Sequence, residues 1–143
     1  MSSELDPMVL TPSPSRLAES LRDTGYSYQA AFADIVDNSV AAGASNVNIE
    51  ISDGALGTAL RVVFYDDGCG MTREQLLDAM RYGSKKRSIA KSLGKFGMGL
   101  KTASTAFCRR LIVISMSGEG ITASAWDLDH IIDTDSWELS PVD

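Results

Sequence analysis

Apolar positions recur along this chain with two different periods, and each change of period marks a new element. Residues 1–14 hold three of the four prolines and read as an irregular arm. "RLAESLRD" follows, with Leu17 and Leu21 at i, i+4; Ser15 is placed as its cap and Gly25 as its end. "YSYQAAFADIVDNSVAAGA" is the best long helix. Its stripe is expected to run through Ala30, Ala31, Ala33, Ile35, Val36 and Val40, with Gly43 at the C′ position. The period then drops to two. "NVNIEIS" alternates Val47, Ile49 and Ile51 against Asn48, Glu50 and Ser52, which predicts a strand with one buried face. "SDGALG" is a turn, and "ALRVVFYDD" a second strand, antiparallel by its short connection.

Helical spacing returns in "TREQLLDAMRYG", capped by Thr72, with Leu76, Leu77 and Met80 in one row. Residues 83–97 are polar, basic and punctuated by Gly and Ser. They read as a mobile loop, long for a compact domain, and such loops often serve as lids. A helix is expected from about Met98 to Phe107. "RRLIVISMS" and "ITASAWDLD" then form a hairpin around "GEG", and the tail after Asp129 is weakly patterned. The order α-α-β-β-α-loop-α-β-β predicts an α+β fold: a two-layer sandwich of one mixed sheet with helices on one face. One domain over residues 15–130, between the arm at 1–14 and a tail at 131–143, accounts for the whole pattern.

Composition changes this picture little, whereas charge changes it more. With 143 residues, 44% apolar and 22% charged, the chain suits a folded domain with a real core. No apolar run approaches the roughly 18 residues of a membrane span. The opening "MSSELDPMVLTPSPS" lacks the basic-then-apolar order of a secretory signal, so a cytoplasmic location and no membrane partner are expected. Cys69 and Cys108 form no disulfide framework and are expected to be buried free thiols. The net charge of −6 excludes wholesale attraction to polyanions. Yet no acidic residue lies between Asp78 and Glu119. That window holds Arg81, Lys85, Lys86, Arg87, Lys91, Lys95, Lys101, Arg109 and Arg110. A basic, glycine-rich middle in an acidic chain points to a local polyanion site; the plain alternative is a solvated loop and helix face.

Three constellations carry candidate chemistry. Asp34 and Asn38, at i, i+4, share one face of the long helix. A carboxylate there can act as general base toward water, and an amide oxygen is a hard ligand suited to Mg²⁺. The plain alternative is an exposed helix face. The second constellation is "DDGCGM" at the end of a strand: Gly68 and Gly70 admit close approach of a flat ligand, Asp66 can accept from an amino group, and Met71 offers a soft apolar cover. The alternative is a simple strand-to-helix turn. The third is "LGKFGMGLKTAS". Its Gly94, Gly97 and Gly99 precede a helix whose free N–H groups suit phosphate, yet Gly94-Lys95 is followed by Phe96 and so breaks the P-loop pattern.

Taken together, the order D-x-x-x-N, D-x-G-x-G-M and G-x-x-G-x-G-L-K resembles the GHKL ATPase superfamily over roughly residues 15–127. That superfamily includes the DNA gyrase B subunit, MutL-type repair proteins, large heat-shock chaperones, histidine kinases and the Microrchidia ATPases. The Gly-Leu-Lys ending looks most like the Microrchidia-like and related bacterial branch. The resemblance implies a Bergerat ATP-binding fold using ATP and Mg²⁺. It implies that Asn38 binds the metal and that Asp66 reads the adenine amino group, with Gly68, Gly70 and Met71 shaping the adenine pocket. Gly94, Gly97 and Gly99 would wrap the phosphates, with Lys85, Lys95, Phe96, Met98, Leu100 and Lys101 in the same lid-and-helix segment. The family's usual glutamate four residues before the asparagine is Asp34 here, its carboxylate about one methylene further back.

The resemblance further implies a nucleotide switch within a larger or dimerising machine, with residues 1–14 as a candidate dimer arm. A lysine-bearing second domain and the late threonine motif of the family are not identifiable in this sequence. A protein or DNA partner reached through a further C-terminal region fits the same reading. Two alternatives stay open: a nucleotide-binding module that does not hydrolyse, and a nucleic-acid-associated ATPase that touches DNA through basic residues 85–95. His130 reads as a surface residue, and Trp126 and Trp137 as core and tail packing.

Overall fold

The computed structural model describes residues 8, 10–23, 25, 27–53, 60–81 and 99–142. Along the described chain run α1 (Pro14–Arg22), α2 (Tyr28–Ala41), β1 (Val47–Asp53), β2 (Leu60–Asp66), α3 (Arg73–Met80), α4 (Gly99–Thr105), β3 (Arg110–Ser117), β4 (Gly120–Asp127) and α5 (Leu128–Thr134). This is the α+β architecture expected of the pattern. β1 and β2 pair antiparallel, Val47 opposite Asp66 and Asp53 opposite Leu60. β3 and β4 do the same, Arg110 opposite Asp127 and Ser117 opposite Gly120. Short connections favour such ladders. Among the described residues the strands form these two hairpins, with no ladder joining them into one sheet. The contact between them comes from the loop after β2, whose Met71 N–H donates to Ser115 Oγ of β3 at 2.8 Å.

The core lies between the inner face of β3–β4 and helices α1, α3 and α5. Leu76, Met80, Leu128 and Ile131 are fully buried, with Ala18 and Trp126, and Leu111, Val113, Trp137 and Leu139 pack around them. α3 is held at its start by a capping box: Thr72 Oγ1 accepts from Gln75 N–H at 3.3 Å, and Gln75 Oε1 accepts from Thr72 N–H at 2.9 Å. At its end, Trp126 Nε1 donates to the Met80 carbonyl at 2.7 Å, which satisfies one of the carbonyls that a helix terminus leaves without a partner. Trp137 meets Trp126 edge to face. The weakly patterned stretch after Asp129 is therefore part of the body. α5 contributes Leu128 and Ile131, and Ser140 exchanges backbone hydrogen bonds with Ala125 at the edge of β4.

Four sequence expectations need correction. Ser15 does not cap α1. Pro14 opens that helix, Ser13 holds the cap position, and the capping acceptor is remote: Asp135 Oδ1 takes the Ser15 N–H at 3.0 Å and the Ser13 hydroxyl at 2.7 Å. The buried positions of α2 are Ala31 and Ser39, and Val40 is exposed, because the helix turns its small residues inward. Ile49 and Ile51 do not line a buried face: they lie opposite Phe64 and Val62 on one side of a two-stranded ladder, and the cover that Phe32 of α2 gives Phe64 leaves both isoleucines exposed. Cys69 is exposed. Cys108 is half-buried, with its thiol pKa pushed up by that burial; both are free. The turn residues 54–59 lie outside the described residues.

Candidate functional site

α2 is the spine of the candidate site. Ser27 caps it, accepting from Ala30 N–H at 3.2 Å, and its last residue precedes Ala42 and Gly43 as the sequence led one to expect. Asp34 and Asn38 are both half-buried on it, one turn apart. Helix α4 packs against α2. Tyr28 at the start of α2 stacks on Phe107, just past the end of α4, with ring centroids 4.0 Å apart. α4 itself runs from Gly99 to Thr105. Leu100 is half-buried there. Lys85, Gly94, Lys95, Phe96, Gly97 and Met98 lie outside the described residues; Lys101 is described as part of the α4 backbone.

The second constellation joins this helix directly. Asp66 ends β2, and Ser39 Oγ, one residue after Asn38, donates to its Oδ2 at 2.8 Å. Gly68 N–H donates to its Oδ1 at 2.9 Å. The following loop lies on the end of α2: Cys69 N–H donates to the Ala42 carbonyl at 2.9 Å. A Cβ added at Gly68 would stand 2.7 Å from Ala42 Cβ, so this approach requires the missing side chain. Gly70 is held more tightly still, with φ +69 and the Met116 carbonyl oxygen 1.8 Å from where a Cβ would be. Met71 is half-buried and packs against the core cluster. Ser39 of α2 and Ala42 just past its end thus adjoin Asp66, Gly68 and Cys69, while Gly70 lies against Met116 of β3.

Sequence reasoning missed Ser39, Ala42 and Ser115, and it passed over Asp67. The Asp67 carboxylate staples the turn between α2 and β1. Oδ1 accepts from Ser45 N–H at 2.7 Å and Asn46 N–H at 2.8 Å, and Oδ2 accepts from Asn46 Nδ2 at 2.8 Å. The Asn46 side-chain amide, above all, holds the Asp67 pKa below its ordinary value of 3.8. A depressed carboxylate pKa stabilises the fold above the unfolded value, and that contribution is lost as pH falls through the folded one. Urea midpoints measured at pH 7 and pH 3 are therefore expected to separate native protein from Asp67→Asn at pH 7 and to lie closer together at pH 3. An equal gap at both pH values would show that the charge of Asp67 contributes nothing. The sequence signal for Ser39 was a hydroxyl on the inward side of a helix, and for Asp67 an aspartate directly before Gly in a turn.

The basic window is partly consumed inside the fold. Arg109 Nε and Nη2 both donate to Asp129 Oδ1, and Arg110 lies 4.0 Å from Asp127. His130 is half-buried and pairs with Glu138 at 3.1 Å. Among the described residues no group of three or more His, Cys, Asp or Glu side chains converges on one point. The side-chain oxygen of Asn38 is of the hard kind that Mg²⁺ takes beside waters and phosphate oxygens.

Residues 26–143 match the family described as histidine kinase-, DNA gyrase B-, and HSP90-like ATPase. The chain is 35% identical over 95 residues to the human MORC family CW-type zinc finger protein 1, covering 64% of this chain and 10% of that protein. It is 32% identical over 93 residues to ATPase morc-1 of Caenorhabditis elegans, covering 65% and 11%. It is 33% identical over 89 residues to Protein MICRORCHIDIA 7 of Arabidopsis thaliana, covering 59% and 13%. The chain thus spans about a tenth of the length of the relatives it matches.

Proposed function

This chain belongs to the histidine kinase-, DNA gyrase B- and HSP90-like ATPase family, with its Bergerat fold, and from that premise we propose that it binds Mg·ATP along α2 and hydrolyses it slowly as a nucleotide switch. One observation carries the reading. The carboxylate of Asp66 is tied through Ser39 to the same helical turn that holds Asn38, so candidate groups for the base and for the metal sit on neighbouring residues. Asp66 is acceptor-only when ionised, which suits the adenine amino group and opposes the carbonyl that guanine presents at the same place. Gly68 and Gly70 keep the surface beside it flat enough for a purine. Asn38 would hold the magnesium, which neutralises phosphate charge when bound. Asp34, one turn earlier, is placed to orient and deprotonate the attacking water. Gly99 and Leu100 open α4, which this reading puts on the phosphate side, with Lys101 as a candidate phosphate contact; Gly94 and Gly97 lie outside the described residues.

Slow turnover follows from the short side chain of Asp34. General-base catalysis depends on hydrogen-bond reach to the water, and aspartate falls about one methylene short of glutamate. The name of the nematode relative, an ATPase, supports hydrolysis in kind. Pairing of two copies on nucleotide binding belongs to the same proposal. Ser13 and Ser15 at the start of α1 are bonded to Asp135 at the end of α5. The larger assembly, with a protein or DNA client, is proposed on the length of the relatives. No helix among the described residues is long and apolar enough to cross a membrane.

Titration calorimetry with Mg·ATP and Mg·GTP tests the site. ATP is expected to bind and GTP to bind at least tenfold more weakly. Asp66→Asn, which turns an acceptor toward a donor, is expected to lose about 10–100-fold in ATP affinity. Parallel phosphate release separates an enzyme from a non-hydrolysing switch. Equal affinity for both nucleotides, unchanged in the variant, would remove Asp66 from the base site.

A further inference from the structure

We infer that Ser39 is a positioning residue for purine discrimination: its buried hydroxyl sets the plane of the Asp66 carboxylate and so makes adenine recognition a property of helix α2. The inference rests on the reading of Asp66 as the group that faces the base. Ser39 is 3% exposed, while Asp66 is exposed at the strand end. A serine inside a helix usually turns its hydroxyl back to the carbonyl four residues earlier. Ser39 instead donates across to Asp66 Oδ2 at 2.8 Å, a partner 27 residues away in sequence.

The geometry explains why that bond matters. The terminal torsion of an aspartate is broad, so a single hydrogen bond leaves an exposed carboxylate free to rock. Here each oxygen has its own donor: Gly68 N–H at 2.9 Å on Oδ1 and Ser39 Oγ at 2.8 Å on Oδ2. The two donors come from different elements, the loop and the helix, and together they define one plane. Bonds to an ionised acceptor are also short and strong. What remains of Asp66 is a fixed pair of outward lone pairs that accept and cannot donate. An amino group gains from such a preorganised acceptor, whereas a purine lacking that group gains nothing. Ser39 therefore acts on the 6-position of the base and on nothing else in the ligand. Because Ser39 follows Asn38 directly, the setting of the base-reading group is tied to the helical turn that faces the phosphates.

The test compares ATP with purine riboside 5′-triphosphate, which is ATP without its amino group, on native protein, Ser39→Ala, Ser39→Thr and Asp66→Asn. Native protein is expected to prefer ATP by about 10–100-fold. Ser39→Ala is expected to cut that preference about tenfold by weakening ATP alone, with the affinity for purine riboside triphosphate unchanged within about twofold. Ser39→Thr keeps the hydroxyl and is expected to restore most of the preference. Should Ser39→Ala fold poorly, Ser39→Cys preserves size with a weak donor and is expected to give an intermediate preference. Equal weakening of both ligands in Ser39→Ala would show a purely structural tie between α2 and β2 and overturn the inference. An intact preference in Ser39→Ala would do the same. If Asp66→Asn still prefers ATP as strongly as native protein, the assignment of Asp66 itself fails. That outcome is distinguishable because it does not involve Ser39, and it removes the inference with its premise.

Discussion

Replacing Asp34 by asparagine is expected to lower the rate of ATP hydrolysis by about 10²–10⁴-fold, with ATP affinity unchanged within a few-fold. The size follows from the role. A positioned general base contributes only to the chemical step, so its loss appears in kcat and leaves ground-state binding to the base and phosphate contacts. Asparagine is the right probe because it preserves volume and hydrogen bonding on α2 while removing basicity. The complementary change, Asp34→Glu, extends the carboxylate by about one methylene toward the water and is expected to raise kcat severalfold. Single-turnover phosphate release at saturating Mg·ATP measures both. If Asp34→Asn hydrolyses ATP at the native rate, the base lies elsewhere and the i, i+4 pairing with Asn38 is a helix-surface coincidence. If native protein binds ATP without turnover and Asp34→Glu stays silent, the chain is a ligand switch.

The second large effect concerns stability. Gly70→Ala is expected to destabilise the fold by at least about 3 kcal/mol, lowering the melting temperature by roughly 10 °C in a domain of this size. Two causes act together. Residue 70 has φ +69, and an added Cβ would lie 1.8 Å from the Met116 carbonyl oxygen and 2.7 Å from its carbon. Both neighbours are backbone, so no rotamer relieves the clash. Either β3 bends or the loop lifts from it and breaks the bond between Met71 N–H and Ser115 Oγ. The same movement displaces Gly68 and Asp66, so nucleotide affinity is expected to fall with stability. Gly118→Ala is the control: a Cβ there meets nothing within 4 Å. Its melting temperature is expected to stay within a few degrees of native. Coincident melting curves for Gly70→Ala and native protein would mean that β3 does not close on residue 70.

The candidate site was legible where its residues speak locally. Asp34 and Asn38 announce themselves by helical spacing, and Gly68 and Gly70 by their place after a strand. The Thr72–Gln75 box on α3 was half visible, since its cap was read but not its reciprocal partner. What escaped notice was the group that joins the parts. Ser39 carries no pattern of its own; a serine beside an asparagine late in a helix looks like surface. Asp67, next to the more conspicuous Asp66, turned out to be the staple of the α2–β1 turn. Helix α5 was invisible for a related reason. Its seven residues are too few for periodicity to emerge, and what holds it is the burial of Leu128 and Ile131 against Trp126.

By itself, then, the sequence determined the kinds and order of the elements as far as β4, both hairpins and the three short motifs, because each depends on hydrogen bonds and periodicities spanning a few residues. Only the tertiary structure decided which faces are covered. Ile49 and Ile51 alternate like a buried strand face yet remain exposed, since burial depends on what packs against a strand and not on the strand itself. Contacts between distant residues belong to the same class. Ser39 reaches Asp66 across 27 positions, and Asp135 caps α1 across 120. Neither pairing leaves a trace in local pattern, because the chain closes such gaps only when a shared core brings its elements together.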